Sequence, residues 1–417
     1  MPNLANQDFT QFKREQQTAP AWFRILRGGR MTKWKGKVAS YAPHVAPAIG
    51  WAFSRTLQLS LISLVMAGTA AASDRYWDSN GTAVGRGGSG AWNTSNAFWS
   101  PSGDGVSGPY SAWNNAAFDT AIFGGTAGTV TLGSPITVGA MTFETTGYIL
   151  SGNTLTLGTA TPTITTSSGT TTINSVLAGT NGLTKAGDGI LSLTGANTFS
   201  GNIIVTGGTL SVNSSAALGA AANEISLANG AGLNSSGSLA GRSVTLTGGQ
   251  AAIGGAGVGD AHFTGAGGLR ASSSVTLSDD SNDYTGQTSL SSGGTLFFSS
   301  IGNLGEVSAL GAPVDEAAGT ISLVVGSSAS ASATYTGSGA SSNRNWQLSS
   351  RFYANSTISN RGSGTLTLTG NIFNNHTNSS LSARNINFDA GTADIELLGT
   401  ISSNNNGVGV VFGGTAG

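Results

Sequence analysis

Apolar and polar residues alternate at every second position in short bursts along most of the chain. Thr129-Val130-Thr131-Leu132, Thr154-Leu155-Thr156-Leu157, Ile190-Leu191-Ser192-Leu193, Ser243-Val244-Thr245-Leu246 and Thr365-Leu366-Thr367-Leu368 are examples. A period of two sends successive side chains to opposite faces of an extended backbone, so each burst predicts a half-buried strand. Gly, Asn or Ser bounds each one. No stretch after residue 74 carries a 3.6-residue period, and the predicted content is nearly all β.

The bursts belong to a larger repeat. The best unit, GLTKAGDGILSLTGANTFSGNIIVTGGTLSVNSSAALG, runs from Gly182 to Gly219, and a second copy runs from Val275 to Gly305. Alignment sets Asn197 with Asn282, Phe199 with Tyr284, Gly201 with Gly286 and Thr209-Leu210 with Thr295-Leu296, an offset of 85 or 86 residues. A weaker echo, GTLTLTGNIF, begins at Gly364. Such short strands have too little apolar surface to fold alone, but stacked on like neighbours they bury a continuous narrow core. The expectation is a β-solenoid, a right-handed parallel β-helix of about 12–15 coils with roughly 20–25 residues each. At about 4.8 Å per coil it would rise about 60–70 Å. An array of β-sandwiches is the alternative; short strands and dense glycine suit coils better. Gly207-Gly208 and Gly293-Gly294 read as equivalent turns.

Residues 74–118 break the pattern with Tyr76, Trp77, Trp92, Phe98, Trp99, Tyr110, Trp113 and Phe118. A solenoid needs its first coil covered, because an open end is an exposed strand edge. This segment reads as an N-terminal cap, with an aromatic platform for a sugar ligand as the competing reading.

Composition and charge add direction. The 417 residues include 64 glycines and no cysteine, which excludes disulfides and thiolate metal sites. The formal charge of −1 argues against a nucleic-acid partner. That charge is unevenly spread: residues 1–55 hold 9 Lys and Arg against Asp8 and Glu15, whereas residues 74–417 hold 9 basic and 17 acidic residues. Between them, Leu57 to Ala67 is apolar but too short to span a bilayer. It has the length of a signal-peptide core, with Ala70-Ala71-Ala72 supplying small residues for cleavage. Either the cationic segment is unusually long or translation starts near Met31. The predicted organisation is a leader over 1–72, a cap over 74–118 and a solenoid over 119–417. FGGTAG at Phe123–Gly128 recurs as the final six residues, which predicts a repeat cut short and a longer parent protein.

The run GILSLTGANTFSGNIIVTGGTLSVNSSAALG resembles the autotransporter-associated β-strand repeat, through Leu191, Leu193, Gly195, Asn197, Thr198, Phe199, Gly201, Val205, Gly208, Thr209 and Leu210. The second copy departs from it at Asp279 and Asp280. The resemblance implies an exported passenger of a type V, autotransporter-like system in a Gram-negative bacterium, displayed at the outer membrane or cell surface, or secreted. It also implies an outer-membrane β-barrel translocator, and nothing in this chain matches one.

Little in the sequence points to chemistry. The histidines are His44, His262 and His376, too few for a structural zinc site without cysteine. Asp260 sits near His262, but no Gly-x-Ser-x-Gly elbow accompanies them. Asp279, Asp280 and Asp283 form the densest acidic cluster, readable as a Ca²⁺ site or as a solvated loop. The run Gly254 to Asp260 superficially resembles a calcium-binding nonapeptide with its Asp one place late, and reads as a glycine-rich turn. No glycine run ends as a phosphate-binding loop. No catalytic, cofactor or metal residue is assigned and no cofactor is expected. The leading reading is a non-enzymatic stalk or adhesin whose partners are host or environmental surfaces, glycans or other cells, with self-association conceivable at open solenoid ends. A polysaccharide-active β-helix enzyme and a ligand-free spacer are the alternatives.

Overall fold

The fold is described from a computed structural model, over residues 72–417 apart from 292, 325–329, 350–354, 375–383, 404–407 and 414–417. The chain divides into two compact units, Met1–Met66 and Ala67–Gly417, and everything described lies in the second. The predicted leader, apart from Ala72, falls outside the described residues.

The second unit is a parallel β-solenoid with three faces. One face is a 14-stranded sheet that runs through the whole stack; we call it the second face, because each coil reaches it after the first. The first face is a 10-stranded sheet, continued further on by a 3-stranded one, and the third is a 3-stranded sheet followed by a 6-stranded one. The strands Thr120–Phe123, Thr129–Leu132 and Ile136–Val138 make one coil, with one strand on each face. At about 4.8 Å between neighbours, 14 strands span roughly 60 Å, as the sequence predicts. Coils differ more in length than expected. Ile190 stacks under Thr209, 19 residues on, but Ser289 stacks under Ser322, 33 residues on.

Alternation does what the pattern implies. In Ile190–Leu193, Leu191 and Leu193 are buried while Ile190 and Ser192 are partly exposed. Parallel in-register pairing then sets like on like. On the second face Leu191, Leu210, Leu233, Ile253, Ala271, Leu290, Leu323 and Leu348 form one unbroken column of inward side chains, each at most 1% exposed. A buried aliphatic side chain contributes about 1.5–3 kcal/mol, so the column is a large share of what holds the stack.

The aromatic segment closes the N-terminal end. Trp77, Trp92, Trp99 and Trp113 are all buried and pack edge-on or tilted, with Trp99 and Trp113 centroids 4.6 Å apart and Trp92 and Trp99 4.9 Å apart. Phe123 joins this cluster to Phe143, stacked at 4.8 Å. Asp74–Trp77 runs parallel to Thr120–Phe123, but its other edge is taken by Trp99–Ser100 running antiparallel, which ends the parallel template on the first face. The third face is closed by side chains. Trp113 Nε1 donates to Thr137 O at 2.8 Å, and Asn115 Oδ1 accepts from Thr137 N at 2.8 Å. With the indoles buried, the sugar-platform reading of this segment fails: its largest rings are core.

Replacing Leu210 by Ala is expected to cost about 3 kcal/mol, whereas replacing its outward neighbour Ser211 should change stability by less than about 0.5 kcal/mol. Urea midpoints of the two variants against wild type make the comparison.

Candidate functional site

The repeat signature folds into a corner whose working part is an asparagine. Asn197 is buried; its Oδ1 accepts from Leu177 N at 2.8 Å on the preceding coil, and its Nδ2 donates to Ala217 O at 2.6 Å on the following one. Asn282 does the same, accepting from Phe263 N at 2.7 Å and donating to Ala309 O at 3.1 Å. One amide side chain therefore imitates a peptide group and carries the ladder across a stretch where no strand forms. Phe199 and Tyr284 follow at equivalent places, both fully buried. Glycine at 201 and 286 is a requirement of close approach, since a Cβ there would meet the backbone of Gly182 and of Gly267.

Three segments, 183–212, 272–296 and 361–380, match the passenger-associated-transport-repeat. The chain carries this repeat three times. No solved structure matches the chain. The first two repeats do not sit on the same face. In the first, Ile190–Leu193 lies on the second face, and the Asn197 corner on the third. In the second, Val275–Leu277 lies on the third face, and the Asn282 corner on the first, stacked on Phe263. The third repeat places Leu366–Leu368 on the first face. Each copy is thus a whole number of coils plus one face beyond the last. In the first two copies the repeat is a local brick of strand, asparagine corner and strand, set on two different faces; the third shares the strand, on the remaining face.

The residues singled out for chemistry are partly gathered. His262 Nδ1 lies 3.4 Å from Asp279 Oδ2, and its Nε2 lies 3.9 Å from Asp283 Oδ1. Ser281 Oγ sits 3.3 Å from His262 Nδ1 and donates to Asp279 Oδ1 at 2.5 Å. Asp280 turns away and accepts from Ser299 and Ser300 Oγ, both at 2.6 Å. Asp260, next to His262 in sequence, gives its carboxylate to Ser238 Oγ and Leu239 N. The three aspartates therefore do not converge, and among the described residues no three His, Asp or Glu side chains are arranged to hold a metal ion. Ser281, His262 and Asp283 have the residue types of a hydrolytic triad, but Ser281 Oγ is committed to Asp279, and the neighbouring Asn282 and Asp283 amides donate to Asp279 O and Phe263 O rather than to a nascent oxyanion.

Among the other cap aromatics, Tyr110 and Tyr76 are engaged by neighbours and Phe118 is exposed. Tyr110 Oη donates at 2.6 Å to Asp78 Oδ2 and lies 2.6 Å from Gly81 O; burial and the Asp78 carboxylate push its pKa up to about 12. The Arg86 guanidinium lies over the Tyr76 ring at 5.3 Å and pairs with Glu144. Phe118 is 40% exposed, in a left-handed conformation at φ 52°, with its ring across Gly158.

Periodicity reasoning misses the buried cations. Lys185, the one lysine after residue 37, is fully buried in a first-face strand. Its Nζ donates to Ala186 O and Gly187 O at 2.9 Å and to Gly207 O of the next coil at 3.1 Å. Arg242 likewise spends its donors on Ser215 Oγ and the carbonyls of 215, 219 and 220. Arg344 donates to Gly319 O and Leu310 O. Corners collect carbonyls that lack strand partners, and a buried cation answers several at once. The one available sequence signal was the placement of Lys185 where the alternation calls for an inward residue.

Asn282→Ala should cost about 2–4 kcal/mol, since it strands a buried N–H and a buried C=O on two coils, while Asn202→Ala on the exposed rim should be near neutral; thermal unfolding of both checks this. Burial lowers the Lys185 pKa from 10.5 to about 8, so the unfolded chain binds more protons between these values and stability rises with pH there. Between about pH 8 and pH 10 the wild type should gain on the order of 2 kcal/mol relative to Lys185→Met, read from paired urea titrations.

Proposed function

We propose that the chain is the exported passenger of an autotransporter-like protein, displayed at the outer membrane or released, where it acts as a stiff non-enzymatic scaffold: a stalk or adhesin. The observation that carries this reading is the triple occurrence of the passenger-associated-transport-repeat in one solenoid, each copy's strand one face further round than the last. A repeat that turns to a new face with each copy does not line up a recurring site. It supplies length and stiffness, and leaves outward side chains free to vary. The cationic segment and apolar run before residue 72 fit export, with cleavage after Ala72. Partners in this reading are host or environmental surfaces, glycans or other cells, and an outer-membrane β-barrel translocator.

Fractionation of cells expressing the complete reading frame, with protease added outside, tests it. The expected outcome is a product beginning at Ser73 that is degraded by external protease in intact cells. An uncleaved product retained in the cytoplasm would overturn it.

A further inference from the structure

The first face changes character at His262. Up to His262–Thr264 it is a 10-stranded sheet, parallel except for Trp99–Ser100 at its other edge, and the next coil crosses it as the irregular segment 279–286. Its bonds to the sheet are fewer than a strand would make, while the buried Asn282 and Tyr284 also hold it to the following coil through Ser308 N, Ala309 O and Ala312 N. Asp283 N donates to Phe263 O at 3.1 Å, Thr285 N to Gly265 O at 2.9 Å, and Phe263 N to Asn282 Oδ1 at 2.7 Å. Over this seam stands His262, on the near coil, with one ring nitrogen toward Asp279 and the other toward Asp283, both on the far coil.

We propose that His262 is a proton-operated clasp that tightens the coil of 279–286 onto the first-face sheet in mild acid and loosens it in mild alkali. As imidazolium, the ring puts a positive charge between two carboxylates of the far coil, 3.4 Å from Asp279 and 3.9 Å from Asp283, with Ser281 Oγ 3.3 Å from Nδ1. As neutral imidazole it keeps one N–H and leaves two carboxylates facing each other across an uncharged ring. Histidine is the side chain that changes charge between about pH 5 and pH 8. The other charged groups around it are already engaged. Arg242, whose main-chain O accepts from His262 N, turns its guanidinium inward onto Ser215 and corner carbonyls. Asp260 is held by Ser238 and Leu239 N, and Asp280 by Ser299 and Ser300. Asp279 sets the acid limit. Burial works to raise its pKa, but hydrogen bonds from Ser281 and the facing imidazole outweigh this and hold it below its ordinary 3.8. Its contribution is therefore present above that value and lost only as pH falls through the lower folded one.

The test is hydrogen exchange by mass spectrometry on the full chain at about pH 5.5 and about pH 8, corrected for intrinsic rates, following the peptide that spans 279–286. In the wild type its protection should be about threefold to fivefold higher in acid, the scale of partly exposed ion pairs. His262→Gln keeps a hydrogen-bonding side chain without the charge, and should show no such difference. The double variant Asp279→Asn, Asp283→Asn should be equally flat, and serves if the histidine variant does not fold. A peptide from a remote coil, 190–212, whose first-face strand Ile203–Val205 lies three strands before His262–Thr264, should not respond. Equal pH responses in wild type and His262→Gln, or none in the wild type, would overturn the proposal.

Discussion

Parallel, in-register pairing between successive coils is the constraint from which the rest of this molecule follows. Because each strand lies directly on its predecessor, every inward residue is stacked on another inward residue, and the interior becomes a set of columns such as Leu191 to Leu348. A column tolerates Ala, Leu or Ile at each level, but not a change of phase, since a slip by one residue would turn the whole strand inside out. Backbone pairing and apolar burial are thus one requirement here, met coil by coil.

The same constraint makes corners and ends the costly places. Where the chain turns between faces, amide groups lose their ladder partners and must find others. Asn197 and Asn282 supply a side-chain amide in place of a peptide; Lys185 and Arg242 supply cations among carbonyls. Among the described residues, no coil precedes the first one at the N-terminal end. Four indoles fill the core mouth there, an antiparallel strand takes one edge, and Trp113 and Asn115 take another.

How far the sequence revealed this depends on the range over which each feature is encoded. Strands such as Ile190–Leu193 are announced by alternation within four residues, and the cap by a composition change within forty-five. The equivalence of Asn197 and Asn282 was legible as an alignment, but not their function, because their partners lie one coil before and one coil after. The acidic cluster shows the limit. Asp279, Asp280 and Asp283 are close in sequence, yet Asp280 faces Ser299 while its neighbours face His262. Which side of a corner a carboxylate takes depends on the coil beneath it. Coil lengths vary with insertions such as the one before Ser322, so no fixed spacing predicts what that coil offers.

The rotation of the repeat from face to face has a consequence for how such a chain can change over generations. Copies 85 or 86 residues apart are natural sites for unequal recombination, which would add or delete one interval between them. Because each copy lies one face further round than the last, the strands after the junction would take their places one face away from where they now lie. Everything beyond the crossover would be turned by a third of a revolution about the solenoid axis. A single genetic event could thus re-aim a whole segment's outward surface without altering one of its residues, giving a lineage a way to vary what it presents while conserving what holds it up.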